Sequence, residues 1–296
     1  MKRTDLAALL LLGALWGGSF LFMRMGAGAF GGMALAGLRA IGAALCFLPL
    51  LASAGRRAEL RRHAWPIAVV GLSNGALPYV LFSLAARSLP AGLSAIFDAI
   101  TPLLVAASGW LWLGQRLDAP RVAGLLVGLI GVLWLIAGSG GLVHGAAGSG
   151  WAMAACLGAV ACYAFTAHYA ERRLPAVSPL TAAAGGQFAS ALLLAAPTAW
   201  LWPAQPPGLR AWMAMAGLAV LCTAVAYVLF FRLIGRIGAP RTMVVLYLIP
   251  AFAVLWGALF LGEPVTLAVA GGCAVILLGV ALTTGLLQPR AAARQA

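Results

Sequence analysis

Residues 79–82 read Tyr79-Val80-Leu81-Phe82, and residues 227–230 read Tyr227-Val228-Leu229-Phe230, the same tetrapeptide 148 positions later (227 − 79 = 148). The same offset, without a gap, lays Pro102 on Pro250, Leu113-Gly114 on Leu261-Gly262, Gly124 on Gly272 and Gly131-Val132 on Gly279-Val280. Isolated apolar matches are frequent in a chain that is 64% hydrophobic. A tetrapeptide, a proline and three glycine positions matched at one offset instead point to duplication of a unit about half the chain long.

The composition says what kind of unit was duplicated. Apolar residues far exceed the roughly 45–50% of an ordinary soluble domain, and only 8% of residues are charged, which excludes a water-soluble fold. Crossing the ~30 Å hydrocarbon core takes about 20 apolar residues in a helix. Punctuation by Gly, Pro and Arg divides the chain into ten such spans, at 5–23, 31–53, 66–88, 91–113, 122–140, 151–170, 180–202, 211–231, 241–261 and 266–286. The expected fold is therefore all-α and polytopic, two five-helix repeats at 1–140 and 151–288, with an outer linker at 141–150 and a tail at 289–296. The first apolar stretch imitates a signal peptide after Lys2-Arg3, but it is long enough to span and reads as a retained first helix. Thirty-seven glycines predict close helix contacts.

The net charge of +13 suggests nucleic acid only until the charges are placed. Lys2, Arg3, Arg56, Arg57, Arg61, Arg62, Arg116, Arg121, Arg172, Arg173, Arg232, Arg236, Arg241, Arg290 and Arg294 all fall in segments an even number of spans from the amino terminus. Only Arg24, Arg87 and Arg210 fall on the other side, and Arg39 lies inside a span. The positive-inside rule puts both termini in the cytoplasm, and no nucleic-acid partner is expected. Five spans separate any residue from its partner 148 positions on, so the repeats enter the membrane in opposite senses. Inverted repeats are a recurring design of secondary transporters, with the site near the midplane and alternating access by rocking of the halves.

Several short motifs carry a family resemblance: Leu15-Trp16-Gly17-Gly18-Ser19-Phe20, Gly37-Leu38-Arg39, Pro102 followed by Gly114-Gln115-Arg116-Leu117, and Pro250 followed by Gly262-Glu263-Pro264. Over essentially its full length the chain resembles an EamA-type transporter of the drug/metabolite transporter superfamily. It is most similar to the bacterial amino-acid exporters of that group, those for aromatic amino acids included. The resemblance implies ten helices and metabolite export across the bacterial inner membrane, without a cofactor and without enzyme activity. Glu263 fits the acidic residue the family often has after the glycine, and Gln115 departs from it.

Ionisable residues inside spans need a reason, because each costs about 2.5–3.5 kcal/mol on insertion scales. Arg39 and Asp98 lie seven or eight residues from the outer ends of spans two and four, about 10–12 Å deep at 1.5 Å per residue. Either they pair to fix two helices, or Asp98 binds a substrate amine or a coupling proton. Asp98 falls on Leu246 at the repeat offset and so breaks the symmetry. Pro102 and Pro250 each remove a helix bond and mark candidate gates. Trp16, Ser19, Asn74, Tyr79, Tyr163, Gln187, Tyr227 and Tyr247 are polar or amphipathic residues near mid-span, and with Asp98 they make up the candidate substrate-binding set. The five cysteines read as packing residues, and His63, His144 and His168 show no metal-ligand spacing, so no metal is expected.

The expected substrate follows from what is missing. Phosphate recognition leans on Arg and Lys at close range, and here one arginine lies deep in a span and Lys2 is the single lysine. A neutral or zwitterionic metabolite with an apolar body, an amino acid above all, suits such a site, with the lipid bilayer around the protein and protons as the candidate coupling ion. An uncoupled facilitator or channel is the alternative. A membrane-embedded lipid-modifying enzyme would want clustered catalytic groups, which six scattered acidic residues do not provide.

Overall fold

A segment in hydrocarbon must satisfy its backbone hydrogen bonds internally, so apolar stretches of this length have the helix as their only open solution short of a closed barrel. The computed structural model describes residues 2–115, 117–138 and 149–284, and within these it is helical with no strands. Seven helical units are long and apolar enough to cross a membrane. They are α1 (Arg3–Phe30), α2 (Gly32–Ala52), α3 (Ala64–Ala85), α4 (Ala91–Leu113), α6 (Ser149–Arg173), α7 (Pro179–Trp200) and α8 (Leu209–Ile237). Three shorter apolar helices complete the bundle: α5 (Ala119–Gly138), α9 (Val245–Leu261) and α10 (Leu267–Thr283). Seven of the expected spans coincide with helices of crossing length, and the three shorter helices lie on the other three. Most of the linker expected at 141–150, including His144, and the tail at 289–296 lie outside the described residues.

Three helices, α1, α6 and α8, overrun both ends of their expected spans. At 28 residues, α1 is about 42 Å long, and it carries Arg24 past the end expected at residue 23. Two helices are interrupted by wide turns with i to i+5 bonding, at Gly71–Ala76 in α3 and Gly217–Val225 in α8. Shifted by 148, the first interval falls on 219–224, inside the second. Such insertions loosen the ladder locally and often occur at functional sites.

The two prolines behave differently. In α4 the helix breaks at Ala99 and Ile100, with Pro102 in the first turn of the second half, Thr101–Leu113, where a missing N–H is harmless. Pro250 sits inside the continuous α9, and the nearby break falls earlier, at Met243 and Val244, after the single helical turn Ala239–Thr242. Gly114 and Gly262 end α4 and α9 in the left-handed conformation, φ 67° and 64°, which a side chain would strain. In both, the next amide closes on a glycine carbonyl: Gln115 N to Gly109 O at 3.0 Å, Glu263 N to Gly257 O at 3.1 Å.

Small residues bring the halves together. Helices α5 and α10 cross with Gly279 against Gly128 and Gly131 against Ile276, so closely that a Cβ added to Gly279 or Gly131 meets the opposing helix, while one added to Gly128 meets Leu103 of α4. Helices α1 and α9 meet at Gly17, where a Cβ would stand 2.7 Å from Phe252 Cβ and 2.9 Å from the backbone of Ala253 and Ile249. Large apolar side chains cover the outside, with exposed tryptophans at helix ends (Trp65, Trp112, Trp151, Trp200), as in proteins bounded by lipid headgroups.

Candidate substrate cavity

Asn74 lies within the wide turn of α3 and Thr223 within that of α8, with Tyr79 and Tyr227 just after them on the same helices. A cavity of about 270 Å³ lies there, with Asn74, Gln187 and Tyr227 on its wall. It runs past Thr166, Ala183 and Phe231 to Leu174, Val177 and Pro179, in and around the connection between α6 and α7. It thus leads to the end of the bundle that carries Arg172 and Arg173.

Its polar groups are interlinked. Asn74 Nδ2 donates to the Tyr227 hydroxyl at 3.2 Å, and Gln187 Nε2 donates to the Tyr79 hydroxyl at 2.9 Å. The Gln187 side-chain oxygen is buried without a partner among the described residues, an unspent acceptor. Trp16 packs edge-on against Tyr227, ring centroids 6.4 Å apart, and against Phe230. Behind the cavity Arg39 is buried: its guanidinium carbon lies 3.8 Å over the Tyr79 ring, and Nε donates to Thr223 Oγ1 at 3.1 Å. A stacked guanidinium on an aromatic face is a favourable way to hold a desolvated cation.

The sequence-based candidates therefore divide. Trp16, Asn74, Tyr79, Gln187 and Tyr227 come together, with Arg39 beneath them. Asp98, the last residue of the first half of α4, is felt electrostatically by Arg39 and Tyr163. The ion pairs within 4.0 Å among the described residues are Arg24–Glu263, Arg121–Asp118 and Arg236–Asp5, so Arg39 and Asp98 are not in direct contact. Tyr163 packs on Phe82. Ser19 turns back on its own helix, its hydroxyl donating to Trp16 O at 2.6 Å. Tyr247 stands apart, its hydroxyl 2.8 Å from that of Thr284 at the end of α10.

Other polar residues were not singled out from the sequence. Thr166 on α6 donates to Ser73 Oγ at 2.8 Å, and Ser190 on α7 donates to Gly71 O at 2.7 Å, closing the loosened turn of α3. Thr223 holds Arg39. Their only sequence signal is hydroxyls at mid-span, which is weak because such hydroxyls commonly bond within their own helix. Among the described residues no three His, Cys, Asp or Glu side chains cluster to hold a metal ion, and the cysteines are unpaired.

A bundle of long apolar helices around a cavity open toward one end, with a few polar groups on a mostly apolar wall, fits a membrane transporter of small molecules. The model of the EamA-like transporter family matches residues 4–137 and again 150–285. The chain belongs to this family. Among its relatives are the uncharacterized transporter YvbV of Bacillus subtilis, 27% identical over 75% of this chain and 72% of that protein, and a probable terminal-alkyne amino-acid exporter of Streptantibioticus cattleyicolor, 27% identical over 90% and 88%. The threonine/homoserine exporter RhtA of Escherichia coli is 29% identical over 74% of this chain and 71% of its own. A solved crystal structure superposes with a TM-score of 0.65 at 22% identity, covering 97% of this chain and 99% of the other, a likeness of fold.

Proposed function

We propose that the protein exports small neutral or zwitterionic metabolites, most readily neutral or aromatic amino acids, across the bacterial inner membrane by alternating access between two inverted five-helix repeats. The observation that carries this reading is the cavity that ends at mid-bundle on Asn74, Gln187 and Tyr227. Its wall includes Gln187, whose buried side-chain oxygen has no partner among the described residues, and the aromatic side chains of Tyr227 and Phe231, with no basic residue on it to favour phosphate. Two relatives named as amino-acid exporters point the same way.

The repeat reading has geometric support. The paired tyrosines at the 148 offset, Tyr79 and Tyr227, both lie at the centre, and Arg39, beside Tyr79, falls on Gln187 at that offset. The contact of Gly128 with Gly279 maps onto that of Ile276 with Gly131, as a two-fold through the α5–α10 crossing requires (128 + 148 = 276; 279 − 148 = 131). With both termini cytoplasmic, the cavity of this conformation opens inward, ready to load substrate from the cell. Asp98, without a carboxylate's usual partner yet within the field of Arg39, is the group we assign to coupling, exchanging a proton as the cavity changes sides.

Uptake and counterflow of radiolabelled threonine, homoserine and phenylalanine in proteoliposomes, with and without a pH gradient, test the proposal. Saturable counterflow driven further by the gradient is expected. Flux without counterflow would replace the carrier by a channel, and no flux of any of the three would remove amino acids as the substrate class.

A further inference from the structure

The end of the bundle opposite the cavity mouth is closed by a set of polar contacts that join four helices. Arg24, on α1, places Nη1 2.9 Å from the carbonyl oxygens of both Ala86 and Arg87, just beyond the last residue of α3. Its Nε lies 3.6 Å from Glu263 Oε1. Glu263 follows the glycine that ends α9, and its Oε2 accepts the amide N–H of Ala91, the first residue of α4, at 2.9 Å. A cation thus sits on the carboxyl end of one helix and a carboxylate on the amino end of the next, each where the helix dipole favours it. Below them α4 is pressed onto α9, and a Cβ added to Gly92 would stand 2.6 Å from a Val254 methyl.

At the repeat offset, Arg24 corresponds to Arg172 (24 + 148), Ala91 to Ala239 (91 + 148), Glu263 to Gln115 (263 − 148), and Ala86 and Arg87 to Ile234 and Gly235. Every element of the closed set therefore has a counterpart at the cavity-mouth end. There Gln115, Arg172 and Ala239 are exposed, and although Gln115 folds over Gly109 as Glu263 folds over Gly257, the neighbour beside Gly109 is His168, whereas Ala91 stands beside Gly257. The second half of α4 packs on α6, with no substantial packing on α8 or on the turn before α9 among the described residues.

We propose that these are two alternately made latches of the transport cycle, Arg24–Glu263–Ala91 at the outer end and Arg172–Gln115–Ala239 at the inner end. The inference rests on the inverted-repeat carrier reading above. When the outer latch opens, the Arg172 guanidinium takes the carbonyls of Ile234 and Gly235, and the Gln115 side-chain oxygen accepts the Ala239 N–H. The exchange of Glu263 for Gln115 then has a role. A carboxylate accepts charge-assisted bonds roughly twice as strong as those of an amide, so the outer latch is the tighter and the carrier rests open to the cytoplasm.

The test reads accessibility and needs no substrate. In a chain with its five cysteines replaced, one variant carries Leu93→Cys, beneath the outer latch, and another Ala183→Cys, on the cavity wall. Each is labelled with a membrane-impermeant maleimide from either face of the membrane. We expect position 183 to react from the cytoplasmic face and position 93 to be protected. Glu263→Gln should raise the outer-face rate at 93 and lower the rate at 183 by about five- to tenfold, and Gln115→Glu should do the same. Gln115 is exposed, so Gln115→Glu decides the matter if Glu263→Gln does not fold. Rates that stay within about twofold of the parent in both monodisperse variants would overturn the latch while leaving the carrier intact. Labelling of both positions from the same face would instead overturn the inverted-repeat reading.

Discussion

Replacing Gln187 by leucine separates the two jobs the side chain does. Its Nε2 donates to the Tyr79 hydroxyl at 2.9 Å, a neutral buried bond with a net value of about 1 kcal/mol. Its Oε1 is buried with no partner, an arrangement that costs about 1–3 kcal/mol. Leucine is close in size, so Gln187→Leu loses the first and relieves the second. The sum lies within about 2 kcal/mol of zero, and the melting temperature of the detergent-solubilised protein should move by no more than a few degrees. Transport should not be spared. If Oε1 accepts an N–H of the substrate's charged amine, losing that bond removes about 1.5–3 kcal/mol, a rise of roughly ten- to a hundredfold in the half-saturating concentration for threonine or phenylalanine counterflow. The paired measurement is melting by size exclusion after heating and counterflow at graded substrate concentration. Unchanged counterflow affinity in a stably folded Gln187→Leu protein would refute the assignment of Oε1 as a substrate acceptor.

Asp98→Asn should retain counterflow but lose accumulation driven by a pH gradient, and a variant whose gradient response matches the parent would end the coupling role. Gly17→Ala forces a Cβ against Phe252 and the backbone of α9, so it should destabilise by about 1–3 kcal/mol. Gly18→Ala, whose Cβ would meet nothing nearer than 3.9 Å, should be close to neutral, and equal melting shifts for the two would contradict the α1–α9 packing. At the end of the bundle that carries Arg172 and Arg173, hydrogen bonds from the Thr181 side chain and the Ser178 amide hold the Glu59 carboxyl below its ordinary value of 4.5. A lowered folded-state value gives stability that is present above the unfolded value and lost as pH falls through the folded one. Melting curves should therefore show an extra loss below about pH 4.5 in the parent relative to Glu59→Gln, of no more than about 1 kcal/mol because the group is largely solvated. An identical acid profile for the two would remove that link between the surface helix Ala54–Arg62 and α7.

What could be read in the linear chain was what depends on neighbours in sequence. Apolar length was enough to locate the seven long apolar helices, because a helix in lipid satisfies its own backbone and needs no partner to be specified. The 148-residue offset and the side of each arginine are likewise properties of the string, and they carried the transporter reading. Mid-span depth singled out Tyr79 and Tyr227, whose hydroxyls accept from Gln187 and Asn74. Side-chain pairing was decided only in three dimensions, because it depends on how each helix is rotated and how closely glycines let it approach. Depth alone made Arg39 and Asp98 look like partners, whereas helix rotation sets Arg39 on Tyr79 and Thr223. Ser19 shares mid-span depth with Trp16 but turns inward on its own backbone, and Tyr247 faces α10. Pro250 was as visible as Pro102, yet the helix runs through it and the chain breaks earlier, at Met243 and Val244. Arg24 and Glu263 are 239 positions apart (263 − 24), and only the folding of α9 and α4 onto each other brings their charges to the same helix ends.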